Sequence, residues 1–290
     1  MEPIYINSAI AALGYAIAAT LSKHALAQGA GILRLSFVAN WLFLPVFALL
    51  LIGHEFSFPL SYIGFPLLTG LFFFLGQMFT FAAIRLGDIS LQTPVMGTKT
   101  VFVVLIALAL GTEPISKSII LAAVVSMFGV ALLGFSGGGA RRVGMTLCLA
   151  LLSSLFFAAT DMMVSAYGSQ FNASVFIFIV ILVNAVLSLL LVPFFDEPLI
   201  KMPKAAWTWV LVAGVIMAAQ ALLLNYTLAH YQNAAVFNVV YSTRGLWSVV
   251  IGVALAYFLR MPTKKGDGRL WVMRLTGALM MCAAILILQF

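Results

Sequence analysis

The sequence predicts an all-α integral membrane protein, with ten transmembrane helices arranged as two inverted five-helix repeats. Three observations carry that prediction: the composition, the spacing of the apolar runs, and a self-similarity that pairs each span with the fifth one after it. Of 290 residues, 64% are hydrophobic and only 8% are charged, with a mean hydropathy of +1.16. A soluble domain carries about 25% charged residues, so most of the outer surface of this chain must face lipid.

The spans follow in order. A hydrocarbon core of about 30 Å is crossed by about 20 mostly apolar residues in a helix. The first run, 4–23, follows Met1-Glu2-Pro3, which lacks a basic stretch and a small-residue cleavage site, so it reads as a retained helix. Gln28-Gly29-Ala30-Gly31 separates it from the second run, 32–52, which closes at Gly53-His54-Glu55. The third, 64–86, stops at Gly87-Asp88; the fourth, 90–110, at Thr112-Glu113-Pro114; the fifth, 117–136, at Gly137-Gly138-Gly139. The remaining runs are 143–166, 173–194, 206–229, 234–258 and 270–289, with Asp196-Glu197-Pro198 after the seventh and Met261-Pro262 after the ninth. Links of a few residues make neighbouring helices antiparallel hairpins. The alternating polarity of a transmembrane β-barrel is absent.

Lys and Arg set the expected orientation. The odd connections carry Lys23, Arg34, Arg85, Arg141, Arg142, Lys201, Lys204, Arg260, Lys264, Lys265, Arg269 and Arg274, whereas the even connections and both tails carry only Lys117. This bias places the odd connections in the cytoplasm and both termini outside. Lys and Arg outnumber Asp and Glu by 15 to 8. Nucleic-acid binders gather such an excess on one face; here the charges punctuate apolar stretches, and no nucleic-acid partner is expected.

A shift of 145 residues lays Thr98-Lys99 on Thr243-Arg244, Val104 on Val249, Ile106 on Ile251 and Ala109 on Ala254. A shift of 140 lays Ala18-Ala19-Thr20 on Ala158-Ala159-Thr160. Both shifts pair a span with the fifth after it, and because five is odd the second half must sit upside down. The expected units are therefore 1–139 and 140–290, together one membrane domain. Inverted repeats belong to alternating-access transporters, whose site lies at the repeat interface.

Three ionisable residues fall well inside spans: Lys99, Asp161 and Arg244. A charge at the bilayer centre costs about 2.5–3.5 kcal/mol on insertion scales, so each should line a wet cavity or find a partner. Lys99 follows Pro94, a helix-kinking residue, and shares a face with Gln92, Met96, Val103 and Ile106. Arg244 shares one with Phe237, Tyr241, Trp247 and Ser248. Two readings stand. An anionic group could sit between Lys99 and Arg244, gripped bidentately by Arg and as a point charge by Lys. Alternatively one cation pairs with Asp161, whose face carries Ser154 and Ser165, and a single cation remains. Asp161 is also a candidate proton-coupling carboxylate. Gln77, Thr80, Asn184, Gln220, Asn225, Tyr226 and Tyr241 could reach a substrate, or act as interhelical glue worth about 0.6 kcal/mol each.

Other chemistries lack their residues. Cys148 and Cys282 lie inside apolar segments, against a disulfide framework or cysteine metal site. His24, His54 and His230 are scattered near span ends, so no metal site is expected. No Gly-x-x-x-x-Gly-Lys-Ser/Thr loop occurs; no cofactor is expected, and energy would come from a gradient or an exchange. An intramembrane enzyme would want a metal cluster or a Ser/His pair at depth, and neither is visible.

Ala83-Ile84-Arg85-Leu86-Gly87-Asp88-Ile89-Ser90, the span with Pro94, and Leu110-Gly111-Thr112-Glu113-Pro114-Ile115-Ser116 resemble the end of the first repeat in the drug/metabolite transporter superfamily, EamA-type branch. Ala229-His230-Tyr231-Gln232-Asn233-Ala234-Ala235 resembles the second copy of the same link. Its terminal Gly-x-Glu signature is replaced by Tyr257-Phe258-Leu259-Arg260. The resemblance implies a cavity lined by spans 3, 4, 8 and 9, a small-molecule substrate, and a bacterial inner-membrane location. It also implies basic residues on spans 4 and 9 contacting an anion in the phosphate- and nucleotide-sugar exchangers; Lys99 and Arg244 match by position. Many members keep both termini in the cytoplasm, unlike the charge bias here. An exporter of neutral, aromatic or zwitterionic metabolites, with structural cations, is the other reading, and the chain could act as a monomer or a homodimer in the lipid.

Overall fold

A computed structural model of the chain describes residues 2–53, 58–86, 95–134, 143–258 and 268–289. Within them every regular element is helical. Seven helices are long and apolar enough to cross a membrane: Pro3–Ala27, Ile32–Leu51, Leu60–Ile84, Val143–Tyr167, Ala173–Phe194, Lys204–Tyr231 and Ala234–Ile251. Three shorter apolar helices, Met96–Leu110, Lys117–Leu133 and Val272–Ile287, stand at the predicted fourth, fifth and tenth spans. The ten predicted positions are thus all helical. Pro94, Gln92, Asp88 and most of the basic 5–6 and 9–10 connections lie outside the described residues.

The α-helical parts are α1 (Pro3–Ala27), α2 (Ile32–Ala48), α3 (Gly64–Leu86), α4 (Lys99–Leu110), α5 (Lys117–Gly134), α6 (Val143–Tyr167), α7 (Ala173–Leu187), α8 (Lys204–Tyr231), α9 (Ala234–Tyr241), α10 (Arg244–Phe258) and α11 (Gly268–Ile287). Their ends follow local chemistry. Pro3 sits in the first turn of α1, where its missing N–H costs nothing. Asn172 and Asn233 cap α7 and α9 by accepting from Val175 N and Val236 N. Gly111, at φ +61°, ends α4 in the left-handed conformation open to glycine.

The two halves of the chain interleave. α1 packs on α8, and α6 packs on α3; α5 crosses α11, and α2 lies against α7 and α8. At the α5–α11 crossing the backbones nearly touch: a Cβ on Gly277 would stand 2.7 Å from the Gly129 carbonyl oxygen. Small residues permit this approach in lipid, where close packing rather than water exclusion drives helix association. Buried hydroxyls bond back into their own helices, as Ser8 donates to Ile4 O and Thr20 to Ala16 O. Among the described residues no buried hydroxyl is left without a hydrogen-bond partner. On the side of the odd connections, Arg34 donates to Gly29 O at 2.9 Å and meets Glu197 Oε2 at 3.6 Å, tying the 1–2 link to the 7–8 link.

Candidate substrate site

Both intramembrane cations begin a helix at a local break. In the ninth span α9 ends at Tyr241, Ser242 and Thr243 turn, and α10 starts on Arg244. In the fourth, a 3-10 turn over Met96–Thr98 precedes Lys99, the first residue of α4. Thr98 Oγ1 donates to Val95 O and Thr243 Oγ1 to Val240 O, each at 2.7 Å. A hydroxyl bonded three residues back tightens the last turn before the break. The offset of 145 that aligns Thr98-Lys99 with Thr243-Arg244 thus aligns the same local geometry, down to the accepting valine.

The two cations nevertheless have unlike surroundings. Lys99 Nζ lies 2.6 Å from Asp161 Oδ2 on α6, and the same oxygen accepts from Asn238 Nδ2 on α9 at 2.8 Å. Lys99 is 6% exposed and Asp161 5%, so the pair is withdrawn from solvent. Of the two sequence readings, a pairing of Asp161 with one cation is the one found, and that cation is Lys99. Asp161 reaches Lys99 from a different span, and the residues flanking Lys99 do not say which of the two cations it meets.

Arg244 has no carboxylate partner among the described residues. Its guanidinium carbon lies 4.8 Å from the Tyr15 ring centroid and 4.7 Å from that of Tyr241. Aromatic faces attract a guanidinium through the ring quadrupole without cancelling its charge. The two rings meet edge to face at 6.2 Å, and Phe237 stacks behind Tyr241. Tyr241 also stands 5.9 Å from Lys99 Nζ, so both cations approach one ring. Its hydroxyl donates to Gln220 Oε1 at 3.2 Å, while Gln220 Nε2 points to Met217 Sδ. Arg244 is half-buried, unlike Lys99, and its planar five-donor head suits a carboxylate or phosphate oxygen pair.

The remaining predicted residues divide. Gln220 and Tyr241 join Arg244. Gln77 is instead held by Asn40, the two amides bonding reciprocally at 2.9 and 3.1 Å. Asn225 donates to Ala221 O in its own helix, Thr80 is engaged with Gly76 O and Ser153, and Tyr226 is 47% exposed on the outside of the bundle. Asn184 is buried with neither amide atom hydrogen-bonded among the described residues. Ser154 and Ser165, expected beside Asp161, bond elsewhere, to Val95 O and Glu113.

Three participants were not singled out in the sequence for this region. Tyr15 on α1 is a polar-tipped ring that meets Tyr241 edge to face and the Arg244 guanidinium. Asn238 lies one turn before Tyr241 in an otherwise apolar segment, a spacing that marks a shared helical face. Glu113, legible only as part of a link motif, accepts from Ser165 Oγ at 2.9 Å, Ala234 N at 2.8 Å and Ala235 N at 3.1 Å. It caps α9 from the other half of the chain. Among the described residues no group of three or more His, Cys, Asp or Glu could hold a metal ion.

Residues 3–135 match the model of the EamA-like transporter family. A solved structure titled only "Crystal structure of protein" superposes with a TM-score of 0.76 at 14% identity, covering 99% of this chain and 96% of that one. That likeness concerns the fold. No curated protein matches the sequence.

Proposed function

We infer that this chain, whose residues 3–135 match the model of the EamA-like transporter family, is a secondary transporter of a small organic anion with Arg244 as its principal ligand. The family is one of membrane transporters of the drug/metabolite superfamily, and the chain is an integral membrane protein; the substrate class is the proposal. The observation that carries it is the contrast between the two cations. Lys99 is neutralised by Asp161, whereas Arg244 sits half-buried between two tyrosines with no carboxylate in ion-pair contact among the described residues. Keeping an unmatched charge in a bilayer is costly, and a bound anion supplies the counter-charge.

Substrate carboxylate or phosphate oxygens would take the guanidinium, with the Tyr241 and Tyr15 rings and the Gln220 amide as walls. The proposed motion is alternating access between two inverted halves, 1–139 and 140–290. The interleaved helix pairs support it: α1 on α8 and α6 on α3 are the pairs that exchanging the halves would interconvert, and both cations stand at breaks of the kind that line transporter sites. The charge bias supports a proposed orientation with both termini outside the cytoplasm, and the proposed location is a bacterial inner membrane.

Purified protein tested for thermal stabilisation against carboxylates, sugar phosphates, amino acids and organic cations separates the readings. Anions should stabilise the wild type, and Arg244→Gln should lose that response while keeping its basal melting temperature within a few degrees. Equal stabilisation of both proteins by neutral compounds, with no anion effect, would make Arg244 structural and favour a neutral-metabolite exporter.

A further inference from the structure

We propose that the site selects substrates bearing a single net negative charge, and that Asp161 sets this valence without touching the substrate. The inference rests on the anion reading above and adds the charge the substrate must carry. Around the Tyr241 ring the ionisable charges are those of Lys99, Asp161 and Arg244; of the other buried charges among the described residues, Glu113 is spent on the first N–H groups of α9 and Arg34 on the link with Glu197. Lys99 and Asp161 stand 2.6 Å apart and cancel, with Asn238 completing the shell of the same oxygen. One positive charge remains, on Arg244. In a low-dielectric interior an unbalanced charge is expensive to bury, so the bound complex closest to neutrality is favoured. A monocarboxylate, or another singly charged oxyanion, reaches it. A dicarboxylate or a doubly ionised phosphate monoester overshoots by one charge, and a zwitterion leaves one uncancelled.

The geometry also separates the roles of the cations. Lys99 Nζ is already held at 2.6 Å by a carboxylate, and a substrate could recruit it only by displacing Asp161 into a second unpaired state. Arg244 lies over the Tyr15 and Tyr241 rings with one donor on the Tyr241 hydroxyl, and no carboxylate among the described residues pairs with it.

The test uses matched probes, monomethyl succinate against succinate and a methyl phosphodiester against its phosphate monoester, with affinity read on the purified full-length protein. Wild type should bind the singly charged member at least tenfold more tightly. Asp161→Asn, which releases the Lys99 charge, should reverse the preference toward the doubly charged member. The double variant Lys99→Gln/Asp161→Asn removes both charges and leaves the cluster around Tyr241 at one positive charge again, so it should restore the wild-type preference. A wild-type preference for the dianions, or an Asp161→Asn protein whose preference is unmoved, would overturn the proposal. If Asp161→Asn fails to fold, the double variant decides: loss of anion binding there would show that Lys99 is itself a ligand. Should no probe of either charge bind, with Arg244→Gln indistinguishable from wild type, the broader anion reading fails instead.

Discussion

At the scale of single residues, the buried polar groups differ in how completely they are matched, and stability should follow that difference. Lys99 and Asp161 form a close, withdrawn pair. Removing one partner strands the other, a loss of about 3–5 kcal/mol in buried pairs, whereas removing both together costs much less. Lys99→Gln and Asp161→Asn should therefore each lower the apparent melting temperature more than the double variant does, measured in one detergent. The amides give a second comparison. Asn40 and Gln77 satisfy each other, while Asn184 is buried with no partner among the described residues. Replacing an unsatisfied buried amide by an apolar side chain of similar size is close to neutral or stabilising, but breaking a satisfied pair leaves its partner orphaned at about 1–3 kcal/mol. Asn184→Leu should leave thermal stability unchanged or raised, and Asn40→Leu should lower it; equal losses in both would contradict this account.

At the scale of elements, the ninth span shows what a short helix needs in order to start inside a protein. α9 has eight residues, Ala234–Tyr241, and its first N–H groups point to Asn233 and to Glu113 from the other half of the chain. Glu113 also holds Ser165 of α6, so a link residue fastens α6 and α9 together at one end of the site. Cap removal costs about 0.5–2 kcal/mol, and a buried carboxylate with several donors sits above that range because its donors are stranded together. Glu113→Ala should lower stability by about 2 kcal/mol or more, and Glu113→Gln should recover only part of it, since the amide presents one acceptor oxygen to donors that now meet an N–H₂. The α5–α11 crossing makes a similar demand. With the Gly129 carbonyl 2.7 Å from a Cβ on Gly277, Gly277→Val must part the helices and should yield poorly folded protein in expression and size-exclusion assays.

At the scale of the whole molecule, the fold was largely legible and the site only in part. Apolar runs of bilayer length are a coarse, redundant signal, and all ten predicted positions are helical. The match of Thr98-Lys99 with Thr243-Arg244 likewise survived into structure, because a hydroxyl followed by a cation at a helix break is a local feature of consecutive residues. Contacts between distant spans were not legible. Nothing around Lys99 in sequence says that Asp161 will approach it, and Gln77 looks as available as Gln220 until Asn40 is seen to hold it. Glu113 was hidden for the same reason: its three donors lie in the second half of the chain. Long-range pairing decides which polar groups are spent on structure and which remain for a ligand.

The central claim, anion transport through Arg244, is tested most directly by flux. Wild type and Arg244→Gln, reconstituted in liposomes preloaded with a stabilising anion, would be compared for exchange against the same labelled anion outside. The account predicts exchange in wild type and a loss of at least a hundredfold in Arg244→Gln, with partial activity in Arg244→Lys, which keeps the charge but not the bidentate fork. Undiminished anion exchange by Arg244→Gln would contradict it.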